Sequence, residues 1–154
     1  MSSSDDVTVY VVDDHDFVRL QLIDLVDSTA GFVVVGSADD VTRAVTEIER
    51  LGPRVALVDG HIGEGDGLDV CRQLAVLAPD VACVIITAGV AVEWGPVEAA
   101  QAGAAALLLK QIKDFPLIAT IARVAAGERL LNDYLVPKLP PESSGDAAAS
   151  GVNL

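Results

Sequence analysis

Apolar and polar positions along this chain fall into two alternating kinds of stretch. Five short apolar runs, at 7–12, 32–35, 54–58, 81–86 and 105–109, have the length and largely β-branched content of buried strands. Between them apolar residues recur at helical spacing. The first set is Val18, Leu22, Leu25 and Val26, running to Ala30-Gly31. The second is Val41, Ala44, Val45, Ile48 and Leu51, stopped by Gly52-Pro53. The third is Leu68, Cys71, Leu74 and Ala75, ending before Pro79. Asp39 or Asp40 can cap the second helix and Asp66 the third. Gly95 and Pro96 confine the fourth helix to 96–101. The fifth starts near Asp114, with Pro116 in its first turn. It buries Leu117 or Ile118, Ile121, Ala122 and Ala125, and Gly127 ends it. Gly36-Ser37 closes the second strand. Five strands alternating with helices predict a parallel sheet covered by helices on both faces.

Four of these runs end on a chemically active group. The first runs into Asp13-Asp14, the third into Asp59, the fourth into Thr87 and the fifth into Lys110. In an open parallel sheet those ends share one edge, where such folds keep their sites. Each residue alone has a plain structural use, as a helix cap, a turn, a β-former or a surface lysine; their shared position points to a site. Grouped carboxylates repel unless a cation joins them, and hard oxygen ligands with open positions suit magnesium. The predicted ligands are Asp13, Asp14, Asp59 and the backbone carbonyl of His61, offered by the loop containing Gly60, Gly63, Gly65 and Gly67. A carboxylate beside magnesium and a lysine can attack a phosphoryl group and hold it as an acyl phosphate. Thr87 would donate to a phosphoryl oxygen, and the small Ala88 leaves room for entry. No Walker loop, dinucleotide-binding glycine motif or Cys/His zinc cluster is present in the sequence.

Composition narrows the class. The chain has 154 residues, 51% of them apolar and 21% charged, enough for one domain with a real core. A formal net charge of −13 argues against nucleic-acid binding by this chain. No apolar run is long enough to cross a bilayer, and the first six residues lack the features of a signal peptide. Cys71 and Cys83, among apolar neighbours, are expected as buried free thiols, which fits a reducing cytoplasm. Residues 1–6 read as a disordered tail. Residues 131–154, rich in Pro, Ser, Gly and Ala towards their end, read as a linker or disordered tail without a DNA-binding domain.

Several spaced motifs together carry a family resemblance. Val11-Val12-Asp13-Asp14-His15, Asp59 with Gly67 after it, Thr87-Ala88 and Leu108-Leu109-Lys110 resemble the receiver domain of bacterial two-component response regulators. Val-Asp-Asp-His, Leu-Leu-Lys and Ala125-Ala126-Gly127-Glu128-Arg129 are similar to the NarL/LuxR-type subfamily. The resemblance covers residues 7–130. It implies a flavodoxin-like, CheY-like sheet of strand order 2-1-3-4-5. It implies that Asp59 accepts phosphate from a sensor histidine kinase, that Asp14 binds Mg2+ directly with Asp13 acting through water, and that Thr87 and Lys110 contact the phosphoryl group. It further implies cytoplasmic transcription control through a C-terminal domain, a homodimer through the fourth helix, fifth strand and fifth helix, and no enzyme activity of its own.

Two positions depart from the family's pattern. Gly63 stands where proline is usual, and Leu107 replaces the usual switch aromatic. Both leave room for a receiver that no longer switches and acts as a phosphorylation-independent interaction module. A phosphatase with an aspartyl intermediate would want a second Asp where His61 stands.

Overall fold

The computed structural model describes residues 5–63, 65–87, 94–109 and 116–131. Five parallel strands form one sheet: β1 (Val7–Val12), β2 (Phe32–Ala38), β3 (Val55–Asp59), β4 (Ala82–Thr87) and β5 (Ala106–Leu109). Their order across the sheet is β2-β1-β3-β4-β5, the order the resemblance implied. The helices are α1 (Asp16–Asp27), α2 (Val41–Leu51), α3 (Gly67–Leu77), α4 (Pro96–Gln101) and α5 (Leu117–Ala125). The predicted start of the fifth helix near Asp114 lies outside the described residues, as do Ala88, Lys110 and the chain after Leu131.

Alternation along the strands divides the core into two layers. Tyr10, Val12, Ala56, Val58, Cys83 and Ile85 pack with residues of α2, α3 and α4. Val9, Val11, Leu57, Val84 and Ile86 pack with Val26 of α1 and with Leu117, Ile121 and Val124 of α5. Asp40 caps α2 by accepting from the Arg43 amide, and Asp66 caps α3 by accepting from the Asp69 amide.

Several sequence expectations need correction. The second strand does not stop at Gly36: an extra residue, Val35, bulges between the Val9–Val34 and Tyr10–Gly36 pairs, and the strand runs on to Ala38. Gly36 belongs inside it because a Cβ there would lie 2.7 Å from Tyr10 Cε2. The first helix ends at Asp27 rather than near Ala30, where the Ser28 and Thr29 hydroxyls donate to the Asp24 and Leu25 carbonyls. Leu25, Ala75 and Ala122 are exposed. On α5 the buried stripe follows 117, 121, 124 and 125, which turns residue 122 to solvent. Cys71 and Cys83 are not free thiols: they form a disulfide from α3 to β4. The helix lies over the strand with both residues on the same buried face, 6.1 Å apart at Cα, within disulfide reach. The cysteines therefore lend no support to a reducing compartment.

Tyr10 is fully buried, and its hydroxyl donates to Glu47 Oε1 at 2.5 Å, tying β1 to α2. Burial and this bond push the phenol's pKa well up, while the same bond, with Arg43 beside it, holds the Glu47 carboxyl down. A lowered carboxyl pKa stabilises the fold above the unfolded value of about 4.3 and stops doing so as pH falls through the folded value. Tyr10→Phe should therefore lower the melting temperature at pH 7, with the gap to wild type closing below about pH 4. Thermal melts of both proteins across pH check this.

Candidate functional site

The C-terminal ends of β1 and β3 deliver their carboxylates to one point. β1 and β3 are neighbours with Val12 opposite Val58, so Asp13 and Asp59 emerge side by side. Asp13 is fully buried and Asp59 nearly so. One ligand atom from each of Asp13, Asp14, His15 and Asp59 lies within 4.8 Å of the others.

Backbone amides orient all three carboxylates. The His15 N–H donates to Asp13 Oδ1 at 2.8 Å, and the His61 N–H to Asp59 Oδ1 at 3.3 Å. The Gly63 N–H donates to Asp14 Oδ2 at 2.6 Å. Asp14 Oδ1 is buried and accepts no hydrogen bond. From α1, Arg19 donates to the Asp13 carbonyl at 3.0 Å and pairs with Asp16, which pins the turn carrying both aspartates. The loop after Asp59 folds into a small antiparallel hairpin, His61–Ile62 against Gly65–Asp66, which sequence periodicity did not reveal.

Thr87 ends β4 beside this point and is buried. The Gly60 N–H donates to the Ile86 carbonyl at 2.8 Å, and a Cβ on Gly60 would lie 3.0 Å from Thr87 Cβ and 3.4 Å from Trp94 Cζ2. Glycine at position 60 thus lets a threonine and an indole close on the residue after Asp59. Leu107 is half-buried opposite Ile85 and packs on the same core layer as Trp94.

Of the predicted site residues, the structure brings Asp13, Asp14 and Asp59 together and sets Thr87 against the adjoining Gly60; Ala88 and Lys110 lie outside the described residues. Sequence reasoning missed the side chain of His15, whose Nδ1 is 3.1 Å from Asp14 Oδ1, 3.4 Å from Asp13 Oδ1 and 3.8 Å from Asp59 Oδ2. Its place directly after the aspartate pair was the available signal. It also missed Arg19 and the Gly63 amide.

The donor set suits a hard divalent cation: three carboxylates, one with a buried oxygen that no hydrogen bond satisfies. Chemically, an acidic cluster that gathers a cation around one nearly buried aspartate can stabilise charge on an incoming phosphoryl group.

Comparison with known proteins agrees. Residues 9–122 match the response regulator receiver domain family. The chain is 34% identical over 141 residues to the DNA-binding transcriptional activator DevR/DosR of Mycobacterium tuberculosis, covering 92% of this chain and 64% of that protein. It is 31% identical over 137 residues to the response regulator GacA of Pseudomonas viridiflava, covering 89% of this chain and 64% of GacA. Among solved structures, the signal receiver domain of a NarL response regulator from M. tuberculosis superposes with a TM-score of 0.72 at 28% identity, covering 80% of this chain and 99% of that domain. The chain thus spans just under two thirds of the length of its curated relatives. Sheet order, strand-end chemistry and sequence similarity converge: this chain belongs to the response regulator receiver domain family, with its relatives in the NarL/LuxR type.

Proposed function

We propose that the chain receives a phosphoryl group on Asp59 from the phosphohistidine of a sensor histidine kinase. An Asp59 carboxylate oxygen attacks phosphorus, the phosphorus–nitrogen bond breaks, and its electron pair returns to the imidazole, which takes up a proton. A Mg2+ ion, when bound, neutralises charge on the transferring oxygens. Asp13, Asp14, Asp59 and the His61 carbonyl would hold it. Thr87, Lys110 and the space beside Ala88 would receive the phosphoryl oxygens.

The observation that carries this reading is the meeting of Asp13, Asp14 and Asp59 beside Thr87 at the carboxyl edge of the sheet. The same reading assigns residues 7–130 to the receiver, with Leu131 buried in its core, and takes 132–154 as a linker. Its output would be transcription in the cytoplasm through a DNA-binding domain, in keeping with the similarity to the DNA-binding transcriptional activator DevR/DosR, with no catalysis of its own. A homodimer would form through α4, β5 and α5, where Val97 and Leu109 are exposed. No helix among the described residues is long and apolar enough to cross a membrane.

Incubation with acetyl phosphate tests the reading. Wild type should take up one phosphoryl group with magnesium and none with EDTA, and Asp59→Asn should take up none. Equal uptake by Asp59→Asn would refute the assignment.

A further inference from the structure

Gly63 makes a contact that reaches across the site from the loop after β3 to the end of β1. Its amide lies 2.6 Å from Asp14 Oδ2, a residue 49 positions earlier in the chain. The hairpin of His61–Ile62 and Gly65–Asp66 holds the donor in place, and Gly63 has φ of 55°, in the left-handed region. A charged acceptor makes this one of the stronger kinds of hydrogen bond. With Oδ2 fastened, the second oxygen has little rotational freedom. That oxygen, Oδ1, is buried, accepts no hydrogen bond, and sits 3.1 Å from His15 Nδ1, on the side of the four-residue cluster.

We propose that the Gly63 amide is a positioning donor for divalent-cation binding, holding Asp14 by Oδ2 so that Oδ1 is presented to the ion before it arrives. Rotating and desolvating a loose carboxylate would otherwise be a cost of binding, and a fixed one has met it in the folded chain. This rests on the cation site of the function proposed above. The donor requires both an N–H and a positive φ at position 63. The side chain itself is irrelevant, since a Cβ on Gly63 would meet nothing within 4 Å.

Three variants separate these requirements. Gly63→Pro has no N–H and fixes φ near −65°. Gly63→Val keeps the N–H but avoids positive φ, whereas Gly63→Asn keeps the N–H and tolerates the left-handed region. Magnesium chloride is titrated into each protein and followed by fluorescence of Trp94, the single tryptophan, whose ring lies against the Gly60 backbone. Thermal melts in EDTA confirm that each variant is folded. Magnesium affinity should fall about tenfold or more in Gly63→Pro and in Gly63→Val, and stay within about threefold of wild type in Gly63→Asn. Wild-type affinity in the Pro and Val variants, or an Asn variant as weak as Pro, would overturn the role of the amide while leaving the cation site standing. Absence of saturable magnesium binding in wild type would overturn both.

Discussion

Replacing Gly67 with alanine should destabilise the domain by about 3 kcal/mol, the upper end of what overpacking a well-filled position costs. Gly67 opens α3, and its N–H donates to the Gly60 carbonyl at 3.1 Å. A Cβ at this position would lie 2.7 Å from the backbone oxygen of Asp59, 3.2 Å from Val58 Cγ1 and 3.3 Å from Gly60 Cα. Two of these three atoms are backbone, so no side-chain rotation relieves the overlap. Either α3 backs away from the sheet or the end of β3 moves, and the second displaces Asp59 itself. For a domain of this size the loss corresponds to a fall of about 10 °C in melting temperature. Differential scanning calorimetry measures it directly. A Gly67→Ala protein melting within a degree or two of wild type would show that α3 docks on the strand end less tightly than these distances imply.

The second large effect reverses sign with magnesium. Asp13 is fully buried, and its carboxylate shares a 4.8 Å cluster with those of Asp14 and Asp59. Neighbouring negative charges raise the free energy of the folded state until a cation joins them. Asp13→Asn keeps the oxygen that accepts from the His15 amide and removes one charge. In EDTA the variant should therefore melt above wild type. With magnesium the order should invert. At a magnesium concentration about a hundred times the dissociation constant, binding stabilises wild type by about 2.7 kcal/mol, and a tenfold weaker site forfeits about 1.3 kcal/mol of that. Melting curves of both proteins in EDTA and along a magnesium series check the crossing. A variant less stable than wild type under both conditions would mean that Asp13 serves packing more than the cation.

Much of the fold was legible because a buried parallel strand and an amphipathic helix each leave a strong period in sequence. β1, β3 and α4 fall within a residue of expectation. The acidic point was legible for a related reason: in a parallel sheet, a carboxylate that follows an apolar run is carried to the shared edge whatever the details of packing. What stayed hidden depends on contacts between distant segments. Gly36 reads as a strand end, and only the Tyr10 ring behind it explains why it lies within one. The hairpin after Asp59 has strands of two residues, too short to carry a period. Cys71 and Cys83 meet because α3 docks across β4, and neither residue's neighbours in sequence announce that. Gly63 was visible as a departure from the family's proline, but its gain, an amide on Asp14, needed the loop's conformation. Leu107 stands where the family's switch aromatic is usual. Trp94, on the same core layer, brings an aromatic ring from a different segment to Gly60, which Thr87 also flanks.

On the function proposed here, Asp59 itself carries the phosphoryl group. Borohydride reduces an aspartyl phosphate to homoserine and leaves free aspartate unchanged, so it records the modified position as a change of residue. Wild-type protein treated with acetyl phosphate and magnesium, then reduced, digested and sequenced by mass spectrometry, should show homoserine at position 59, with aspartate retained at 13 and 14. Without magnesium, position 59 should remain aspartate. Homoserine at Asp13 or Asp14, or none anywhere in a folded, magnesium-bound protein, would contradict the assignment of Asp59 as the phosphoacceptor.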